Sequence, residues 1–321
     1  MTKDLVCIGM ALVDSIIKGF DPEPVSVSGY RAVSGTLNAG GEAVNEAMAA
    51  AKLGLRTGIL CALGDDAAGD MVKAALRRCG VDTGLVVQSS QTPVTTMFVN
   101  DDGTRKSITN EAHRYNFHPE KEADSFTDAG AIILGSLFRA PFDDPAIIHA
   151  VLSAAKNAGQ ITVADTKLPN FRKMTLEDLQ ESLPLIDYIT PNEDEAAFFT
   201  GLKSPEGMAD EFLRRGVKNV IIKLGSRGCL LKNSGRLVEL PGYRIDAVDA
   251  TGAGDNFLAG FVSEILRGGT EEDALRFANA CGAICTTAVG AATALQSREQ
   301  VIGWMERQEA SQSNKNRVRG Q

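Results

Sequence analysis

The chain has 321 residues, of which 44% are hydrophobic and 23% charged, so it can bury a large globular core. Its net charge of -8 and sequence pI near 5.1 argue against a nucleic-acid partner, because such proteins usually carry a basic face. No secretory leader and no apolar run of about 18 residues is evident, so export and membrane spanning are not indicated and a cytoplasmic location is expected.

Short apolar runs alternate with helical stretches along most of the chain. This alternation predicts an α/β fold with a mainly parallel central sheet and helices on both of its faces. The runs that predict buried strands are Leu5–Gly9, Thr57–Ala62, Ala131–Leu134, Ile161–Ala164, Tyr188–Thr190 and Asn219–Leu224. Helical stretches include Glu42–Leu53, Ala67–Cys79, Pro145–Ala158, Glu193–Thr200, 254–267, 271–288 and 298–308. An antiparallel edge is predicted from the short runs Cys229–Lys232, Arg236–Leu240 and Tyr243–Val248.

Two segments, at about 15–38 and 92–110, interrupt this alternation with short β-like pieces. The second has the form of a hairpin around a turn at 101–103. Because a βαβ unit requires neither, we predict a small β lid inserted into one domain of residues 1–308, although surface hairpins without a function would look the same. The polar residues 309–321 are predicted to form a disordered tail.

A pair of glycines, Gly40 and Gly41, opens the first predicted helix. Glycines at a helix start let a ligand approach the backbone closely. Asn45 follows one turn later and offers both a donor and an acceptor to hydroxyl groups. This pattern is common, so by itself it is a weak indication of a binding site.

A second glycine-rich turn lies at 249–257, where a strand-like run ends and an amphipathic helix begins. Gly252 and Gly254 flank Ala253 there, and the free N–H groups of such a helix start attract anions. Asp255 follows at once and has two interpretations. It either caps the helix, or it accepts a proton from a hydroxyl that attacks a phosphoryl group held by the turn.

Together, the two helix starts resemble the two signatures of the ribokinase-like (PfkB) family of carbohydrate and nucleoside kinases. The order of motifs extends the resemblance over nearly the whole chain, through Asp14, the Gly64-Asp65 turn and an N-x-x-E segment at 192–195. The resemblance implies a ribokinase-like α/β fold and ATP-dependent phosphorylation of a hydroxyl. No G-x-x-x-x-G-K-[ST] motif occurs, so the chain is not a P-loop enzyme.

The resemblance also implies roles for particular residues. Asp255 matches the catalytic base of the family. The anion hole for the transferring phosphoryl group is matched by Gly252, Ala253 and Gly254. The residues that match ligands of the substrate hydroxyls are Asp14, Gly41 and Asn45.

Nucleotide and cation sites are implied in the same way. Asn192 and Glu195 match the positions that organise Mg²⁺, with Glu195 acting through a water molecule. The nucleotide-binding positions are matched by Lys223, Gly225, Gly228 and Asn279, and an ordinary polar helix position remains an alternative for Asn279. A K⁺ site is implied at Asp249 and Thr251, completed by backbone carbonyls around 288–294. Lys167 departs from the pattern of sugar-kinase members and is expected to meet phosphates.

The main hypothesis is therefore that the chain transfers a phosphoryl group from ATP to a primary hydroxyl of a small sugar. A nucleoside kinase is the alternative, and a sugar-phosphate kinase or a non-catalytic sugar-binding regulator would be further possibilities. The regulator is disfavoured because Asp255 and the glycine pair are present. A homodimer paired through the lids is also expected, since isologous dimers are the commonest oligomers.

Overall fold

The computed structural model describes residues 2–19, 32–99, 105–110, 117–170 and 172–319. Within these ranges the strands are β1 (Lys3–Ile8), β2 (Leu12–Lys18), β3 (Ser34–Gly40), β4 (Thr57–Leu60), β5 (Ala62–Gly64), β6 (Val87–Ser89), β7 (Val94–Val99), β8 (Arg105–Thr109), β9 (Ala129–Leu137), β10 (Ile161–Thr166), β11 (Tyr188–Ile189), β12 (Asn219–Lys223), β13 (Cys229–Asn233) and β14 (Leu237–Leu240). The α-helices are α1 (Glu42–Lys52), α2 (Ala67–Arg78), α3 (Ala123–Phe126), α4 (Pro145–Asn157), α5 (Glu193–Thr200), α6 (Pro205–Arg214), α7 (Ala253–Leu266), α8 (Glu271–Cys285) and α9 (Arg298–Arg319). No helix in the described part of the chain is long and apolar enough to cross a membrane.

The main sheet has eight strands in the order β14-β13-β12-β11-β10-β9-β1-β4. The pairs from β12 to β4 are parallel, whereas β13 and β14 add an antiparallel edge. The predicted α/β fold with a mainly parallel sheet is thereby confirmed. From β1 the chain continues to β4 on one side, and from β9 it continues to β10 on the other. Ligands in such sheets bind outside the carboxyl ends of the strands at the point where the order reverses, which here lies between β1 and β9.

Side-chain alternation along β1 shows how the sheet buries both of its faces. Leu5 and Cys7 belong to the core under α1, α2, α7 and α8, whereas Val6 and Ile8 belong to the core under α4, α5 and α6. All four side chains are fully buried. Burial on both faces explains why the central strands appear in the sequence as unbroken apolar runs.

Strands from the two inserted segments pair with each other in a second sheet, with the order β3-β2-β7-β8. β2 is antiparallel to β3 and parallel to β7, and β7 is antiparallel to β8 as the predicted hairpin requires. The predicted turn at 101–103 and the centre of the first segment, 20–31, lie outside the described residues. That this second sheet acts as a lid stays a prediction.

The prediction of a strand over Tyr243–Val248 is wrong, because this segment has no regular strand pairing. It leaves the edge strand β14 and crosses towards the end of α8, where the Val248 N–H donates to the carbonyl of Thr286 at 2.8 Å. The Tyr243 ring packs edge-on against Trp304 at a centroid distance of 4.7 Å. The alternating apolar residues of the segment thus line a cavity and contact a helix instead of pairing in the sheet.

The C-terminal segment also differs from its expectation. Where the sequence predicts a disordered tail over 309–321, the backbone of α9 continues as a helix to Arg319. The polar composition that suggested disorder contains no proline or glycine before Gly320, so nothing in the sequence interrupts the helix earlier.

Candidate active site

A cavity of about 990 Å³ lies over the carboxyl ends of β1, β9 and β10. Asp165 and Lys223 line it from the main sheet, and Asp14, Thr95 and Met97 line it from the second sheet. The second sheet therefore forms one wall of the cavity, opposite the strand ends of the main sheet. The predicted site residues in the large cavity are Asp14, Gly41, Asn45, Asn192, Glu195, Lys223, Gly225, Thr251, Gly252, Gly254 and Asp255.

The glycine pair before α1 is required by close packing. A side chain at Gly40 would overlap the carboxylate of Asp14, and one at Gly41 would overlap the carbonyl of Met10. Gly41 also has a positive φ of 97°, which favours glycine. The pair therefore brings the start of α1 against β2, so that Asp14 and Asn45 both face the cavity.

The start of α7 is held by the loop that follows α8. Gly252 has the left-handed φ of 77°, and a Cβ there would overlap Ala291. Asn256 Nδ2 donates to the carbonyls of Gly252 and Ala291, both at 2.8 Å. Gly254 lines both cavities of the site, whereas Ala253 lines only the smaller one, and its N–H donates to the Ala250 carbonyl at 3.2 Å.

Asp255 lies in the first turn of α7 and is only 6% exposed. Its Oδ2 accepts a hydrogen bond of 2.7 Å from Asn45 Nδ2, 210 positions away in the sequence. Burial raises the pKa of Asp255 to about 6; Lys167 lowers this pKa, and Glu42 and Asp165 raise it. A carboxylate held from another helix, with a pKa near neutrality, suits proton transfer better than helix capping.

Asp14 is the second carboxylate in the cavity with a shifted pKa. Burial, together with the smaller effect of the charge of Glu42, raises the pKa of Asp14 to about 6. Its position on β2 is fixed by pairing with Asn38 on one side and Thr95 on the other. Because Asp14 lies in the second sheet and Asp255 in the main domain, the cavity between them depends on how the two sheets meet.

Two lysines neutralise part of this acidic site. Lys223 Nζ lies 2.6 Å from Asp165 Oδ1, and Lys167 Nζ lies 3.3 Å from Glu42 Oε1. Burial lowers the pKa of Lys223, but the carboxylates of Asp165 and Glu195 outweigh it, so that the pKa lies above its ordinary value. Both ammonium groups border the cavity and are available to an anionic ligand.

The N-x-x-E segment forms a capping box at the start of α5. Asn192 Oδ1 accepts from the Glu195 N–H at 2.9 Å, and Glu195 Oε2 accepts from the Asn192 N–H at 3.0 Å. Thr166 Oγ1 also donates to Glu195 Oε2, at 2.8 Å. These bonds use one carboxylate oxygen of Glu195 and hold the side chain at the cavity wall.

A second, smaller cavity of about 470 Å³ adjoins the first. The two share Lys223, Gly225, Ala250 and Gly254 as lining residues, so they meet at the start of α7. The residues that line only the smaller cavity include Ser226, Gly228, Tyr243, Ile245, Phe257, Asn279 and Thr286. Asn279 thus faces a largely apolar cavity, and all four positions matched to nucleotide binding meet there.

The positions matched to a K⁺ site form a hydrogen-bonded cluster. Asp249 Oδ1 accepts from Thr251 Oγ1 at 2.7 Å and from the Thr251 N–H at 3.0 Å. Asp249 Oδ2 accepts from the Gly290 N–H at 3.0 Å. The carboxylate therefore ties the turn before α7 to the loop after α8.

Several residues that line the cavity were not among the predicted site residues: Glu42, Ser136, Arg139 and Asp165. Glu42 directly follows the Gly40-Gly41 pair, and Asp165 precedes Lys167 by two positions. Their closeness in the sequence to predicted site residues could have indicated both. Ser136 gives no such signal. It has a positive φ of 69°, which is rare outside glycine and often marks functional positions.

The fold and the two cavities define a doubly wound α/β enzyme with an anion-binding helix start. Residues 2–298 match the family model described as pfkB family carbohydrate kinase. The chain is 29% identical over 272 residues to a ribokinase of Haemophilus influenzae, covering 83% of this chain and 87% of that protein. It is 30% identical over 281 residues to a 2-dehydro-3-deoxygluconokinase of Bacillus subtilis, covering 82% and 85%.

A solved structure of Arabidopsis thaliana ribokinase complexed with ribose and ATP superposes with a TM-score of 0.79 at 26% identity. The match covers 95% of this chain and 99% of that one. The chain therefore belongs to the pfkB family of carbohydrate kinases, and its class is that of an ATP-dependent carbohydrate kinase.

Lys223→Met should reduce the free energy of unfolding by about 3 kcal/mol, since removing one partner of a buried ion pair leaves an uncompensated charge. The charge left behind is Asp165, which is 2% exposed. Urea denaturation measures the change. Lys218→Met is the matched control, because Lys218 is exposed and its partner Asp187 keeps Lys156. A loss no larger than that of the control would show that Asp165 does not depend on Lys223.

Proposed function

We propose that this chain transfers the γ-phosphoryl group of ATP to a primary hydroxyl of a small sugar, with Asp255 as the general base. One observation carries the proposal. The carboxylate of Asp255 lines the same cavity as Asp14, Asn45 and the glycine turn at the start of α7, and Asn45 Nδ2 donates to it at 2.7 Å.

The arrangement of the two cavities supports a path for the reactants. The apolar smaller cavity suits an adenine base, with Asn279 as a polar group within it. A triphosphate that runs from there into the large cavity would pass the shared wall of Lys223, Gly225 and Gly254. Its terminal phosphoryl group would then meet the N–H groups at the start of α7, beside Asp255.

The chemistry follows from these positions. Asp255 accepts the proton of the sugar hydroxyl as the oxygen attacks the γ-phosphoryl group, and ADP leaves. The backbone around Gly252 and Gly254, together with Lys167 and Lys223, offsets the charge on the phosphoryl oxygens. The second sheet, acting as a lid, would exclude water and so favour transfer over hydrolysis of ATP.

The residues at the cavity wall fit a hydrated Mg²⁺. Glu195 is 4% exposed, borders the large cavity and accepts its hydrogen bonds through Oε2. Mg²⁺ accepts carboxylate oxygens that contact it through water, so Glu195 suits this role. Asn192 is hydrogen-bonded to Glu195 and lines the same cavity. When bound, Mg²⁺ would neutralise charge on the phosphates. The K⁺ site at Asp249 and Thr251 stays a prediction.

A small sugar is favoured by the polar groups that converge near Asp255. Asp14 and Asn45 offer acceptors and a donor to vicinal hydroxyls, and the similar ribokinase was solved with ribose. A nucleoside substrate is the second candidate, because Leu12 and Met97 of the second sheet give the cavity an apolar wall. A sugar phosphate has less support, because Lys167 and Lys223 are assigned to the phosphates of ATP and Arg139 Nε already donates to the Leu168 carbonyl at 2.7 Å.

A homodimer through the second sheet is supported by its exposed apolar side chains. Leu37 on β3 is 61% exposed and Ile108 on β8 is 67% exposed, while Val33 next to β3 is 84% exposed. Such residues on the outer strands of a sheet mark contact surfaces.

A panel of pentoses, hexoses, 2-keto-3-deoxy sugar acids and nucleosides, read as ADP release with Mg²⁺ and ATP, tests the function. Sugar-dependent ADP release with a phosphorylated sugar as product is expected. ADP release with nucleosides alone would establish the second candidate. Ligand binding without ADP release by any compound would contradict phosphotransfer.

Asp255→Asn should lower kcat by about 10² or more, because general-base catalysis contributes on that scale. The Michaelis constants for ATP and sugar should change by no more than about threefold, since asparagine keeps the shape of the side chain. Steady-state kinetics measure both. Asp246→Asn, at an exposed aspartate of the segment before α7, is the control and should leave turnover unchanged. Near-normal turnover of Asp255→Asn would remove the residue from the role of base.

Activity should rise with pH through about 6, since Asp255 accepts a proton only when ionised and its pKa is raised to about 6. The pH profile of kcat/KM measures this limb. Lys167→Met should move the limb to higher pH, because the ammonium group lowers the pKa of Asp255. A limb at about pH 4, the ordinary aspartate range, or one unmoved by the substitution would contradict the assignment.

A further inference from the structure

Glu46 is a fully buried carboxyl group that none of the predicted roles uses. It lies in α1, next to Asn45, and its exposed fraction is 0%. No described group donates a hydrogen bond to either of its carboxyl oxygens. An ionised carboxylate buried in this state is among the costliest arrangements in a protein, so the group must carry a proton or bind a cation.

The surroundings of Glu46 are acidic. One oxygen each from Glu46, Asp165 and Asp255 lie within 4.8 Å of one another. Burial holds the pKa of Glu46 well above its ordinary value, and Asp165, Asp255 and Glu42 raise this pKa further, against the opposing charge of Lys223. Lys223 Nζ already lies 2.6 Å from Asp165 Oδ1, so its positive charge mainly offsets the charge of Asp165 and not that of Glu46.

The position of Glu46 favours a proton over a hydrated cation. Asp165 and Asp255 line the large cavity, but Glu46 does not, so it stands behind them. On its other side a Cβ added at Gly135 would lie 3.0 Å from Glu46 Oε2. Mg²⁺ usually keeps several waters, and the wall of β9 leaves them little space.

We propose that Glu46 is a neutral carboxylic acid in the working enzyme and shares its proton with the facing carboxylates of Asp165 and Asp255. It acts as a positioning residue. A hydrogen bond from behind, together with the one from Asn45, would hold the Asp255 carboxylate and prevent three buried anions from repelling each other. The positioning of the base rests on the function proposed above, whereas the protonation of Glu46 does not.

The protonation has a consequence for stability that is independent of activity. A carboxyl whose pKa is raised on folding binds its proton more tightly in the folded state. Stability is therefore lost as the pH rises from the ordinary glutamate value of about 4.3 through the raised folded value. Glutamine is neutral at every pH and keeps the shape of the protonated acid.

Thermal unfolding of Glu46→Gln and the unchanged protein, between about pH 5 and about pH 9, tests the proposal. The glutamine variant should unfold at the higher temperature, by a margin that grows with pH. It should keep kcat within about threefold of the unchanged protein at neutral pH, because the glutamine amide can donate the hydrogen bond proposed for protonated Glu46. Glu211→Gln is the control, and its unfolding temperature should change in the opposite direction. Ion pairs with Arg214 and Arg215 lower the pKa of Glu211, so the loss of these ion pairs should lower the unfolding temperature.

Two results would overturn the proposal. One is a Glu46→Gln protein that is less stable than the unchanged protein at every pH, as expected for an ionised and stabilised carboxylate. The other is calorimetric binding of Mn²⁺ without nucleotide that Glu46→Gln abolishes, which would make Glu46 a metal ligand. Neither measurement depends on turnover, so a failure of the proposed kinase function would be seen separately, in the Asp255→Asn kinetics.

Discussion

The hydrogen bond between Asn45 and Asp255 is the contact on which the site depends, since it joins two helix starts that are 210 positions apart. Each helix start has its own reason for being where it is. Gly41 lets α1 begin against the Met10 carbonyl, and Gly252 lets α7 begin against Ala291. Both starts therefore face the point where the strand order reverses, and Asp255, the proposed base, lines the large cavity, which adjoins the smaller cavity proposed for the nucleotide.

Electrostatics sets the second constraint. The site buries many carboxylates close together, and a cluster of this kind is stable only if cations or protons offset its charge. Lys223 and Lys167 neutralise Asp165 and Glu42 respectively. The proposed neutral state of Glu46 removes a further negative charge next to Asp255. The same balance leaves Asp255 with a pKa near neutrality, low enough to ionise and high enough to accept a proton.

Much of the architecture could be predicted from the sequence, because strands buried on both faces appear as apolar runs and inserted segments break their alternation. The segment Tyr243–Val248 is an exception, because local alternation is typical of a strand but does not depend on whether a neighbouring strand is available for pairing. The convergence of the two glycine motifs could be inferred only through the family resemblance. Contacts such as Lys167 with Glu42 depend on tertiary packing and leave no periodic signal in the sequence.

Whether Asn45 and Asp255 act as one catalytic unit can be measured with a double-mutant cycle in kcat at saturating ATP and sugar. Asn45→Ala, Asp255→Asn and the double variant would be compared with the unchanged enzyme on the best substrate of the panel. If the two residues form a unit, the double variant should lose no more than about twofold in kcat beyond Asp255→Asn alone. Any loss of sugar binding caused by Asn45→Ala appears in the Michaelis constant, whereas its effect on kcat acts through Asp255. Fully additive losses would show that the bond has no role in catalysis and would contradict this account.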